Sequence, residues 1–211
     1  MKKYKLYIFD FDGTLVDSHL SMIDIFNYSF AKIGEECTPE QAIHYMRGSL
    51  QACIKERGID SDPIKTQTFV KAIMDSLEFK EINKKTFAYE DTAKTMRNLE
   101  QNGAKFAIVT GNNVSHVKGI LEHINLSQYF DVLVGSDNCK VPKPYADPLN
   151  MVFDLMPGYH KEDACYIGDS LNDYQCAVNA GVDGYLLDRN DEYLDFKGPK
   201  IKSLNDLIIN L

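Results

Sequence analysis

The chain is expected to fold as an α/β protein, a doubly wound parallel sheet with a helical unit inserted near its start, and three observations lead there. Short runs rich in apolar, β-branched and aromatic residues each stop abruptly at a polar residue or glycine: Leu6 to Phe9, Phe106 to Val109, Val132 to Val134, Cys165 to Ile167 and Tyr185 to Leu187. That is how parallel strands buried on both faces read. Between the last four runs the apolar period changes to that of helices, and strand alternating with helix is the signature of a doubly wound sheet. The interval from about Ser18 to Thr86 breaks the alternation, with helical patterns and no convincing strand. The division expected is a sheet core of residues 1–16 and 87–211, and a helical unit of residues 17–86.

Each element has its own local warrant. The basic start, Met1-Lys2-Lys3-Tyr4-Lys5, leads only into the short first strand, so it reads as a solvated strand entrance and not as a targeting segment. In the inserted interval, Met22, Ile25, Phe26, Ser29 and Phe30 mark one helix, Ala42, Ile43 and Met46 a second, and Phe69, Ile73 and Leu77 a third. Thr38-Pro39-Glu40-Gln41 offers an N-cap, a proline in the first turn and a capping-box glutamine, while Gly34 and Gly58 supply stops. In the core, the groups Val114, Val117, Ile120 and Leu121, then Leu149, Val152, Phe153 and Met156, then Leu171, Tyr174, Ala177 and Val178 give three more helices. Ser203-Leu204-Asn205-Asp206-Leu207 opens a short closing one.

Composition limits what such a fold could serve. With 23 basic against 31 acidic side chains the net charge is −8, which opposes a nucleic-acid footprint. No window approaches a membrane span. The five cysteines, Cys37, Cys53, Cys139, Cys165 and Cys176, form no C-x-x-C pair, which suits a reducing cytoplasm. The five histidines show no ligand spacing; only His19, just after the first strand's polar tail, is placed where it could approach a substrate.

The chemistry lies where the strands end, the edge at which open α/β sheets bind ligands. The first strand runs into Asp10-Phe11-Asp12-Gly13-Thr14-Leu15-Val16-Asp17-Ser18. Strand alternation puts Asp10 and Asp12 on one side and sends Phe11 into packing, and Gly13 lets the chain turn away. Two carboxylates so close cannot both ionise cheaply unless a cation joins them or one keeps its proton, which suggests one nucleophile and one acid. The second strand ends in Thr110-Gly111-Asn112-Asn113 before a helix, a natural phosphate seat and equally a turn with an Asn cap. The third is followed by Lys140-Val141-Pro142-Lys143-Pro144, where prolines could aim the Lys143 ammonium at phosphate charge. The fourth ends in Gly168-Asp169-Ser170-Leu171-Asn172-Asp173, hard oxygen ligands that suit Mg²⁺, or a helix cap.

An acid pair, a hydroxyl, a lysine and a second acid pair thus close four successive expected strands. This series resembles the haloacid dehalogenase superfamily of aspartate-nucleophile phosphohydrolases, in particular its phosphoglycolate phosphatase and β-phosphoglucomutase branch, from about Leu6 to Gly184. Ala146 departs from the Lys-Pro-x-Pro-Asp-Pro of many relatives and leaves Lys143 in place.

The resemblance implies a Rossmann-like core with a helical cap that chooses the substrate. It also implies an Mg²⁺-dependent phosphatase of small phosphate monoesters working through an aspartyl-phosphate. Asp10 would be the nucleophile and Asp12 the acid and base, with Thr110 and Lys143 neutralising the phosphoryl oxygens. Backbone amides of Phe11, Gly111 and Asn112 would add donors. The metal would lie on Asp10, the Asp12 carbonyl and Asp169, with Asp173 either joining through water or, as favoured, orienting Lys143. Arg47, in the cap, could meet a substrate carboxylate or second phosphate. The expected partner is a small phosphorylated metabolite, without nucleic acid or membrane, the chain being a monomer or weak homodimer. Other readings share these residues: a phosphomutase that returns the phosphoryl group to a sugar, a phospho-accepting receiver, a metal-free dehalogenase, or an idle binding protein. The receiver is opposed by Asp12, which it would not need, and the dehalogenase by the acidic metal site.

Overall fold

The computed structural model describes residues 2–77 and 84–208. Among these are eight strands and eight α-helices: β1 (Leu6–Phe9), β2 (Val16–Asp17), α1 (His19–Lys32), α2 (Pro39–Arg47), α3 (Leu50–Glu56), α4 (Pro63–Leu77), β3 (Phe87–Ala88), α5 (Thr92–Gln101), β4 (Lys105–Val109), α6 (Val114–His123), β5 (Phe130–Val134), α7 (Asp147–Leu155), β6 (Ala164–Gly168), α8 (Leu171–Ala180), β7 (Asp183–Leu187) and β8 (Lys200–Ile201). The chain divides into two compact units, residues 1–17 with 88–211 and residues 18–87. Among the described residues no helix is long and apolar enough to cross a membrane.

The larger unit is built on a six-stranded sheet in the order β5-β4-β1-β6-β7-β8, with every neighbouring pair parallel. β1 lies inside the sheet, its Leu6 level with Lys105 of β4 on one side and Ala164 of β6 on the other. Side chains alternate between two cores, as a period of two requires. Tyr7 and Phe9 of β1, Phe106 and Ile108 of β4, and Cys165 and Ile167 of β6 pack with Met96 and Leu99 of α5 and Val117, Ile120 and Leu121 of α6. Leu6 and Ile8, Ala107 and Val109, and Ala164 and Tyr166 face the other way, onto Leu149 and Val152 of α7 and Cys176 and Ala177 of α8. Helices on both faces make the unit doubly wound, and they explain why these strands read as unbroken apolar runs. Within this unit the Leu15 carbonyl accepts from the Tyr89 backbone N–H at 3.2 Å and the Thr92 hydroxyl at 2.8 Å, tying together the chain segments before and after the insertion.

The smaller unit is helical, with its own core of Ile25, Phe26, Phe30, Tyr45, Cys53, Phe69 and Ile73. The Phe30 and Phe69 ring centres are 4.8 Å apart, and the Arg57 guanidinium lies over Phe30 while bonding Glu35 at 2.8 Å. Thr38 and Gln41 form the capping box at the start of α2, and Gly34 and Gly58 both take positive φ. Two helices escape the sequence reading. α3 has only Cys53 and Ile54 buried, too few for a period. α5 shows Thr92, Thr95, Met96 and Leu99 at helical spacing, but two of the four are polar. The closing Ser203 segment forms a single 3-10 turn over Leu204–Leu207, with a capping box from Ser203 to Asp206.

Candidate active site

β4, β1 and β6 lie side by side, and the residues that follow them arrive together at one sheet edge. The ladder continues one step past the strands: Asp10 N–H donates to the Ile167 carbonyl at 2.8 Å, and Thr110 N–H to the Val134 carbonyl at 2.9 Å. Asp10 and Thr110 are therefore fixed by sheet geometry, and both are buried.

Lys143 reaches Asp10 from the loop after β5. Its ammonium lies 2.7 Å from Asp10 Oδ1 and 2.6 Å from Asp173 Oδ1. The loop is held by Asn179, whose amide donates to the Pro144 carbonyl at 2.9 Å, and by Cys176, whose thiol donates to the Tyr145 carbonyl at 3.0 Å.

Asp173 is fully engaged. Its Oδ1 takes the lysine and the Tyr166 hydroxyl at 2.8 Å, and its Oδ2 takes the backbone N–H at 3.1 Å and the hydroxyl of Ser170. Ser170 and Asp173 also form the capping box of α8, so one pair of side chains starts the helix and aims the lysine.

Two glycines make room for this arrangement. A Cβ on Gly13, which has φ +76°, would overlap the Asp169 carboxylate, and a Cβ on Gly168 would overlap Asp173.

Asp10, Asp169 and Asp173 each place a carboxylate oxygen within 4.8 Å of the others. Burial, reinforced by the Asp173 and Asp169 charges, pushes the Asp10 carboxyl well above the usual carboxylate range despite Lys143. Burial and Asp173 push Asp169 up to about 7. Asp173 moves the other way, since Lys143, Ser170 and Tyr166 outweigh its burial and hold it below the usual range. Burial alone would lower Lys143, but Asp10 and Asp173 overcome it and raise it. One ammonium thus faces three carboxylates, an excess of negative charge on hard oxygen donors that fits a divalent cation.

The remaining residues fall as follows. Thr110 Oγ1 accepts the Asn112 N–H at 3.1 Å, so its own hydrogen is left for another acceptor, and the Asn112 amide expected to face phosphate is directed at the threonine. Asn113, not Asn112, caps α6. The Asn112 side chain donates to Asp12 Oδ2 at 2.5 Å, and the Asp12 carboxylate stands outside the three-carboxylate group. Phe11 is fully buried, and its carbonyl accepts from Leu15 and Val16 in the turn that carries Gly13. Gly111 is exposed. Arg47 is the last residue of α2, and its side chain lies outside the described residues. Sequence reasoning missed Tyr166, whose signal was a phenol in the middle of a strand that is otherwise fully apolar, and the side chain of Asn112.

The family model for haloacid dehalogenase-like hydrolases matches residues 7–186. A phosphoglycolate phosphatase of Shigella dysenteriae is 28% identical over 226 residues, covering 95% of this chain and 89% of the relative. A Caldanaerobacter subterraneus protein provisionally named pyrophosphatase PpaX is 31% identical over 181 residues, covering 85% and 80%. The solved structure of a haloacid dehalogenase-like family hydrolase from Streptococcus pneumoniae superposes with a TM-score of 0.83 at 18% identity, over 99% of this chain and 98% of that one, a likeness of fold. With its motifs at the ends of β1, β4 and β6 and the family match spanning most of its length, the chain belongs to the haloacid dehalogenase-like hydrolases.

Proposed function

We propose that the chain is a Mg²⁺-dependent phosphatase of small phosphate monoesters, phosphoglycolate-like in substrate, that works through an aspartyl-phosphate on Asp10. The observation that carries this reading is the half-buried Lys143 ammonium between Asp10 and Asp173, with Asp169 beside them, at the edge where β1 and β6 end. The phosphoglycolate phosphatase relatives, matched over 95% of the chain, support the substrate class.

An Asp10 oxygen attacks phosphorus as the ester P–O bond breaks, and Asp12 gives its proton to the departing oxygen. Asp12 then takes a proton from the water whose oxygen attacks the acyl phosphate, so one hard displacement becomes two easier ones. Lys143 and the free Thr110 hydrogen are placed to meet charge on the phosphoryl oxygens, the kind of preorganised contact from which phosphoryl transfer draws most of its acceleration. Asp10, Asp169 and the Asp12 carbonyl would hold Mg²⁺, which when bound supplies further charge neutralisation there. Asp173, with both oxygens already taken, orients Lys143. The helical unit, residues 18–87, is proposed to choose the substrate, with Arg47 a candidate for a carboxylate or second phosphate.

The test is phosphate release from a panel of small monoesters and pyrophosphate, with Mg²⁺ and with chelator, using wild type and Asp10→Asn. Metal-dependent release that the variant lacks is expected, with phosphoglycolate among the preferred substrates. Turnover retained by Asp10→Asn would remove the nucleophile. Preference for pyrophosphate would move the substrate toward the name carried by the Caldanaerobacter relative.

A further inference from the structure

Asp12 is held from one side only. Its Oδ2 accepts the Asn112 side-chain amide at 2.5 Å, while its Oδ1 is buried with no hydrogen-bond partner among the described residues. A buried carboxylate oxygen left unpaired is costly, and where a native protein keeps one it calls for an explanation, a catalytic role among them.

The residue that does the holding is itself fixed. The Asn112 N–H donates to Thr110 Oγ1 at 3.1 Å, and its carbonyl accepts the Ser136 N–H at 2.9 Å. Gly135 lies so close beneath that carbonyl that a Cβ there would overlap it. The Asn112 side chain therefore leaves a backbone pinned between the ends of β4 and β5, and it reaches across to Asp12, three places beyond the end of β1.

We propose that Asn112 is a positioning residue for proton transfer: it grips Asp12 Oδ2 so that Oδ1 is the oxygen that moves the proton. This rests on the reading of Asp12 as acid and base. In the first half-reaction the Oδ1 proton goes to the ester oxygen as the P–O bond breaks and the Asp10 O–P bond forms. In the second, water attacks phosphorus, the Asp10 O–P bond breaks, and the proton that the water loses returns to Oδ1.

The test is leaving-group dependence, which a merely structural role would not alter. An aryl phosphate such as para-nitrophenyl phosphate expels a weakly basic phenolate that needs little protonation, whereas an alkyl phosphate needs the acid. In Asn112→Ala and the near-isosteric Asn112→Asp, kcat/KM for alkyl monoesters is expected to fall roughly 10- to 100-fold further than kcat/KM for para-nitrophenyl phosphate. A burst of para-nitrophenol should also appear, because the second half-reaction depends on the same oxygen. Asp12→Asn is measured alongside. If Asp12→Asn shows the leaving-group effect and both Asn112 variants lose the two activities equally, the positioning role is overturned and the reading of Asp12 stands. If Asp12→Asn also shows no such effect, the reading of Asp12 fails and the inference falls with it.

Discussion

Gly13 and Gly168 occupy the space into which Asp169 and Asp173 must fit, and single methyl groups test that. Gly13→Ala combines two penalties, a positive φ and overlap with the Asp169 carboxylate. Gly181, the C-terminal cap of α8, has φ +70° and nothing within 4 Å of a Cβ, so Gly181→Ala carries the first penalty alone. Gly181→Ala should lose about 1–2 kcal/mol in urea denaturation and keep its turnover. Gly13→Ala should lose roughly 100-fold in phosphatase rate as well, the scale of effect that a misplacement near 1 Å can have. Equal activity in the two variants would show that the Asp169 position does not govern rate. At this scale much was legible, because Asp10, Thr110, Lys143, Asp169 and Asp173 each follow a strand and their side-chain chemistry is plain. Tyr166 was hidden because a tyrosine inside an apolar strand reads as core, and its hydroxyl gains a role only where α8 brings Asp173 to it.

α8 shows how one element can carry two readings at once. Ser170 and Asp173 could be read as a helix cap or as a site, and the structure makes them both, since the capping box leaves Asp173 Oδ1 free for Lys143. A second device joins elements that sequence could not have paired. Arg189, past the end of β7, binds both oxygens of Asp91, at 2.8 and 3.0 Å, stacks on Tyr89 at 4.0 Å, and donates to the Thr14 carbonyl in the loop after Asp12. Ser203 and the Leu204 N–H complete the Asp91 partners. Arg189→Met strands a buried carboxylate, an expected loss of about 3–5 kcal/mol in urea denaturation at neutral pH. Although burial opposes it, Arg189 and Ser203 hold Asp91 below its ordinary 3.8. A carboxyl lowered on folding contributes stability that is complete above its unfolded value and fades as pH falls through its folded one. The gap in urea midpoint between wild type and Asp91→Asn should therefore hold at neutral pH and narrow only below 3.8. A gap that narrowed near neutrality would remove Asp91 as its cause.

For the whole molecule, the change from strand alternation to an unbroken helical stretch made the two-unit organisation legible. Strand order was not legible, since parallel neighbours are chosen by tertiary packing and the two-residue β8 carries no pattern of its own. The acidic cluster also makes a prediction at this scale. A ligand bound only by the folded state stabilises it by about 2.7 kcal/mol at a hundredfold excess over Kd, so saturating Mg²⁺ should raise Tm by roughly 5–10 °C. Asp169→Asn should abolish that rise in a thermal melt, and an undiminished rise in the variant would place the ion elsewhere. The central place of β1 has a further consequence, for the order in which the protein is made. Leu6 to Phe9 are made well before their partners on either side, which begin only at Lys105 and Ala164. Until β4 has been made this buried strand has no neighbour, while the helical segment behind it can complete its own core. Nascent chains stopped before β4 should therefore be the ones that need a chaperone.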